Sequence, residues 1–198
     1  MEYIIHRVNN LDKLSKINKD YGVEVDVIYE KNQLLLKHSP FDTSSGLVSL
    51  EDFLKVYDNK RIIINVKTSG IEEKIINTAN KYSDNFLLLD VEFPFIVKNY
   101  KNYGKYLMLR ISRYESINDL QYFKNYIDWI WLDTYQSFEF NKDFINLLNL
   151  FNICLVSIER WDENYNISNF INEVRDLDLN IKAVMTDEKT VKDWEKIY

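Results

Sequence analysis

The stretch RIIINVKTSGIEEKIINTANKYSDNFLLLDV, residues 61–91, decides the fold. It opens on an apolar, β-branched run over residues 61–66, too short for a helix and bounded by polar residues, which reads as a strand. After a loop ending at Gly70 the spacing changes: Ile71, Ile75, Ile76 and Ala79 fall on one face of a helix over residues 71–82. A second strand-like run follows at 86–91. Strand, helix and strand in this succession make a crossover between parallel strands.

The same alternation extends in both directions. Strand-like runs occupy residues 3–5, 23–29, 106–111, 129–133, 153–157 and 181–185, which with the two above makes eight. A short run at 33–37 follows the second strand as a hairpin-like extension. Helices are predicted over 11–20, 50–57 (behind the N-cap Ser49), 95–100, 117–123, 143–150, 168–177 and 191–197. Eight strand–helix units suit a closed (β/α)8 TIM barrel, compact and a single domain over residues 1–198. An open doubly wound sheet is the alternative, weakened by the absence of any Gly-rich turn between strand and helix.

Composition narrows the function classes. The 198 residues are 46% apolar and 15% aromatic, enough for one well-filled core. A net charge of -6 argues against a broad nucleic-acid-binding face, and the lysines are too scattered for a polybasic membrane patch. A small phosphorylated substrate in a locally basic pocket remains compatible. The single cysteine, Cys154, lies in an apolar run at 151–156 and reads as a buried small hydrophobe. No signal peptide and no membrane span are expected, so the expected location is cytoplasmic. Oligomeric state leaves no mark in the sequence.

In such a barrel, chemistry sits at the C-terminal ends of the strands. Those positions carry His6-Arg7, Glu24 and Asp26, His38, Asn65 and Lys67, Asp90 and Glu92, Arg110 and Ser112, Asp133, Ser157 and Glu159, and Thr186-Asp187. Both histidines of the chain are among them. Glu24 and Asp26, two apart on a strand, face the same side. Such a pair repels itself unless a cation or proton intervenes: a hard metal such as Mg²⁺ or Ca²⁺, or an ion pair with Lys37 or Lys67. Two histidines flanking the pair suit proton transfer to and from a reacting group. Arg7 and Lys67 suit phosphate oxygens, or else simple solvation. Arg110, Asp133 and Glu159 line the mouth on topology alone, as substrate contacts or as an ion-pair network.

The order of these residues resembles the glycerophosphodiester phosphodiesterase family, within the phospholipase-C-like phosphodiesterase superfamily. The likeness rests on H-R at His6-Arg7, E-x-D at Glu24-Val25-Asp26, a histidine after a short apolar run at His38-Ser39, Asn65-Val66-Lys67 where relatives have E-x-K, and T-D at Thr186-Asp187. The resemblance implies a TIM barrel hydrolysing a phosphodiester. His6 and His38 would be the acid–base pair, Arg7 and Lys67 the phosphate contacts, and Glu24, Asp26 and Asn65 would hold Mg²⁺ or Ca²⁺.

Two departures stand out. Asn65 brings no charge where relatives have an acid, so Asp90 is the candidate to complete the metal site, with Glu159 behind it. Ser39 stands where relatives have Asp. The segments at 65–72, 89–94 and 128–133 further resemble short barrels associated with bacterial surface-polysaccharide gene clusters, which implies a sugar- or polyol-linked phosphodiester. Phe93, Trp131, Tyr135 and Trp161 would then stack on a sugar or base, or simply pack the rim. Two other readings stay open: a lyase that releases a cyclic phosphate, and an inactive phosphodiester-binding module.

Overall fold

The computed structural model describes residues 1–42, 47–134, 141–162 and 164–198. Its strands are β1 (Glu2–Ile5), β2 (Gly22–Glu30), β3 (Gln33–Leu36), β4 (Ile62–Val66), β5 (Phe86–Leu89), β6 (Met108–Ile111), β7 (Trp129–Leu132), β8 (Asn152–Val156) and β9 (Ile181–Thr186). Eight of them run parallel in the order β5-β4-β2-β1-β9-β8-β7-β6. The two ends of that order meet through one bridge, between Leu88 and Leu107. The result is the expected TIM barrel, nearly closed. The short run after the second strand forms β3, antiparallel to β2 with Val27 opposite Leu36.

Helices α1 (Leu11–Leu14), α2 (Leu50–Val56), α3 (Glu72–Ala79), α4 (Phe93–Tyr103), α5 (Ile117–Phe123), α6 (Lys142–Leu148), α7 (Ile167–Asp176) and α8 (Val191–Ile197) alternate with the strands. Three 3₁₀ turns, Gly104–Tyr106, Ile158–Arg160 and Glu188–Thr190, follow α4, β8 and β9. Among the described residues no helix is long and apolar enough to cross a membrane.

Three helices differ from the sequence expectation by more than two residues at an end; the third stops at Ala79 rather than at residue 82. The first is one turn long rather than ten residues: Asn10 caps it by accepting from Lys13 N, and it ends at Ser15. Ile17, read as its third apolar position, is still buried, but in a turn. The fourth starts two residues early because Pro94 sits inside its first turn, where a missing N–H costs nothing.

Strands buried on both faces need apolar side chains at every position, which explains runs such as Ile62-Ile63-Ile64. Their two faces divide the core. Ile5, Val23, Val25, Ile62, Ile64 and their equivalents pack outward against the helices. Ile4, Ile63, Leu87, Leu89, Met108, Trp131, Cys154, Val156, Ala183 and Met185 form a second cluster that fills the barrel. Cys154 is thus the buried hydrophobe the sequence suggests. Gly22 permits close packing here, since a Cβ would lie 2.5 Å from both Ile4 Cδ1 and the Arg61 carbonyl oxygen.

Period two then places the site. Two residues beyond Ile4, Ile63, Met108 and Trp131 come His6, Asn65, Arg110 and Asp133. The apolar filling is therefore the floor on which the polar mouth rests.

Candidate active site

A cavity of about 250 Å³ opens at the C-terminal ends of the strands. His6, Arg7, Glu24, His38, Asn65, Lys67, Asp90, Arg110, Trp131, Asp133, Arg160 and Trp161 line it, with Met185 at its base. The sequence-derived histidines, phosphate contacts and most of the acids are thus brought to one place.

The backbone bends sharply where β1 and β5 deliver their residues. Arg7 and Asp90 adopt left-handed φ values of 52° and 57°, a conformation that non-glycine residues hold only when their surroundings fix it. Here the fixing contacts are visible. The Arg7 N–H donates to Glu24 Oε2 at 2.8 Å, and Lys13 Nζ donates to the carbonyls of His6 and Arg7 at 2.8 and 3.0 Å. Lys13 is a positioning residue that the sequence reading did not pick out.

Glu24 and Asp26 are both buried, with different partners. Glu24 lines the cavity, its Oε1 accepting from the Asn65 amide at 3.1 Å. Burial, reinforced by Asp26, pushes its carboxyl above the usual carboxylate range. Asp26 is not among the lining side chains. Its Oδ2 accepts from Asn9 Nδ2 at 2.8 Å and lies 3.6 Å from Arg7 Nε, while Oδ1 lies 3.4 Å from Lys67 Nζ. The ion pair with Lys67 weighed from sequence is present; Lys37 instead pairs with Glu30 at 3.2 Å. Asp26 is in register with Asn65 on β4, and the loop after β1 folds over it through Arg7 and Asn9.

His6 Nε2 lies 4.0 Å from Glu24 Oε2 and 3.4 Å from Arg160 Nη2. Burial, followed by the guanidinium of Arg160 and then Arg7, pushes the imidazole down to about 3, so it meets Glu24 as a neutral ring rather than as an ion-pair partner. His38 lines the same cavity on an exposed loop.

Arg110 anchors the opposite wall as an ion-pair network. Its Nε lies 2.8 Å from Asp90 Oδ1 and its Nη1 lies 2.9 Å from Asp133 Oδ2. Trp131 Nε1 donates to Asp133 Oδ1 at 3.2 Å. Burial nevertheless pushes the Asp133 carboxyl up to about 6, with Arg110 and Trp131 opposing it. Asp90 also lies 3.6 Å from Lys67.

Glu159, expected at the pocket, does not line it. Its Oε1 accepts from the Thr186 and Thr190 hydroxyls at 2.5 and 2.9 Å and from Asp187 N at 3.2 Å. Asp187 in turn pairs with Arg160 at 3.2 Å. The T-D motif therefore positions a cation that the sequence reading missed. Of the four aromatics, Trp131 and Trp161 line the cavity. Phe93 packs edge-on against Phe123 on the helical layer, and Tyr135 lies outside the described residues.

The donor set does not fit the divalent cation implied by the resemblance. Among the described residues no group of three His, Cys, Asp or Glu side chains converges as a metal centre. Asp26 is committed to Arg7, Asn9 and Lys67, and Asp90 to Arg110 and Lys67. That leaves Glu24 and the buried Asn65 Oδ1, an amide oxygen without a hydrogen-bond partner.

Comparison with known proteins leaves the family open and bears out the fold. No family model and no curated protein matches the chain. A crystal structure from Agrobacterium tumefaciens str. C58, provisionally described as a glycerophosphoryl diester phosphodiesterase, superposes with a TM-score of 0.71 over 98% of both chains at 9% sequence identity. At that identity the likeness speaks for the barrel alone.

Proposed function

We propose that this protein hydrolyses a small phosphodiester by histidine acid–base catalysis. The observation that carries the reading is the placement of His6 and His38 in one cavity with Arg7, Lys67 and Arg160. A neighbouring substrate hydroxyl attacks phosphorus as one imidazole takes its proton and the other protonates the leaving alcohol, and water then opens the resulting cyclic phosphate with the two roles reversed. The cationic side chains hold the phosphate oxygens and oppose the charge that develops on them. The likeness in fold to a protein described as a phosphodiesterase supports this reading. No step in it passes through a metal.

A cavity of about 250 Å³ suits a compact substrate. A glycerol-, polyol- or sugar-linked diester is the class proposed, with the half-exposed Trp161 offering an apolar face at the rim. The test is cleavage of glycerophosphodiesters, nucleotide-linked polyols and bis-p-nitrophenyl phosphate, by wild type, His6→Ala and His38→Ala. Turnover lost in both variants supports the reading. A cyclic phosphate as the final product makes the protein a lyase. The amide at Asn65 and the serine at Ser39 favour a second reading, a module that binds a phosphodiester without turnover. Binding with no turnover of any substrate would decide for it.

A further inference from the structure

We infer that this site holds its phosphate without a divalent cation, and that the Arg160 guanidinium beside His6 supplies positive charge to it in a metal's stead. The inference rests on the phosphate-site reading above and adds the nature of its cation.

Three observations converge on it. First, the carboxylates that would make a metal centre are already partnered by cations or amides, which leaves only the neutral amide oxygen of Asn65 without a partner. Asp26 lies under Arg7 and Lys67, Asp90 is held by Arg110, and Glu24 accepts from an amide side chain and a backbone N–H. Second, four cationic side chains line the cavity, Arg7, Lys67, Arg110 and Arg160, so a phosphate entering it meets fixed positive charge without a metal. Third, Arg160 is built in rather than trailing in solvent. Asp187 fixes Nη1 at 3.2 Å, Glu159 fixes Asp187 through its backbone N–H, and Nη2 is directed to within 3.4 Å of His6 Nε2. So held, Arg160 is part of the cavity wall, and a planar guanidinium matches the oxygens of a phosphate.

The inference is tested by binding rather than by turnover. Calorimetry would titrate the intact protein with Mg²⁺, Mn²⁺ and Ca²⁺ salts, and separately with inorganic phosphate in excess chelator. Asn65→Asp, Arg160→Lys and Arg160→Gln would be measured beside wild type, with circular dichroism to check that each is folded. The expected result is no saturable metal heat at millimolar concentration for wild type and a gain of metal binding in Asn65→Asp. Phosphate binding should be indifferent to chelator, weakened roughly tenfold or more in Arg160→Gln and only partly so in Arg160→Lys. Stoichiometric metal binding by wild type overturns the inference. So does phosphate binding that needs added metal, is absent from wild type, or is unchanged in Arg160→Gln. Metal-free, Arg160-dependent phosphate binding without turnover of any diester would leave the inference standing and sink only the catalytic reading.

Discussion

Arg160 and His6 meet at 3.4 Å across 154 residues of sequence, one delivered by the turn after β8 and the other by the end of β1. Strand order brings them together, because β1 and β8 both pair with β9. A phosphate seated in the cavity would meet both side chains, and the first prediction concerns the histidines themselves.

His6→Ala and His38→Ala should each lower kcat/KM for a cleaved diester by about 10²–10⁴, the usual share of a positioned acid or base. Steady-state kinetics on the best substrate checks this. A variant within a factor of a few of wild type would remove that histidine from the mechanism.

Lys13→Met should reduce activity without unfolding the protein. Its ammonium ties the carbonyls of His6 and Arg7, holding the left-handed Arg7 in place. Roughly a tenfold loss in kcat/KM is expected for a small misplacement of catalytic groups. Unchanged kinetics would show that the strand end holds its shape unaided.

Arg110→Met should lower the unfolding free energy by about 2–3 kcal/mol, since it strips the cation from the buried Asp133. The figure lies below that for fully buried pairs because Arg110 keeps 30% of its exposure. Denaturant unfolding measures it, and Asp133→Asn in the same chain should recover part of the loss.

Asp133 also predicts a pH dependence. Its carboxyl is raised to about 6 in the fold, so the folded state favours the protonated form. The stability this lends is fully present below the ordinary carboxylate value of about 4 and is lost as pH rises through about 6. Asp133→Asn should therefore gain on wild type between about pH 4 and pH 6 in urea unfolding. A gap that narrows across that window would reverse the sign of the argument.

Gly104→Ala should destabilise. A Cβ there would lie 2.1 Å from the Tyr126 carbonyl oxygen, so backbone must move. About 1–3 kcal/mol is typical of such overpacking, a fall in Tm of several degrees for a chain of this size. Thermal unfolding with an unaltered midpoint would mean the loop yields freely.

The barrel was legible because its strands are buried on both sides and so read as unbroken aliphatic runs, while period two marked His6, Asn65, Arg110 and Asp133 as mouth residues. Legibility failed where that period stops. Ser157 and Glu159 were read as strand-end neighbours, yet a 3₁₀ turn at Ile158–Arg160 advances the chain by about a third of a revolution per residue. Glu159 thereby turns toward Thr186, and Arg160 reaches the cavity. The partners of Asp26 were not legible for a different reason: strand alternation fixes a side, but not what folds over it, and Arg7 and Asn9 come from another strand end.

The single bridge between Leu88 and Leu107 gives the barrel a clasp. Everywhere else neighbouring parallel strands are laced by ladders of backbone bonds. Here closure falls to side chains: Phe86 stacked on Tyr106 at 4.7 Å below, and Asp90 gripping Arg110 above. Amide exchange with deuterium should start along this seam, because few bonds need break to open it. The upper fastener is also a wall of the cavity. A bound ligand that draws Arg110 toward itself loosens the clasp, and one that bridges Arg110 and Lys67 tightens it, so occupancy of the mouth becomes readable as a change in breathing on one flank of the barrel.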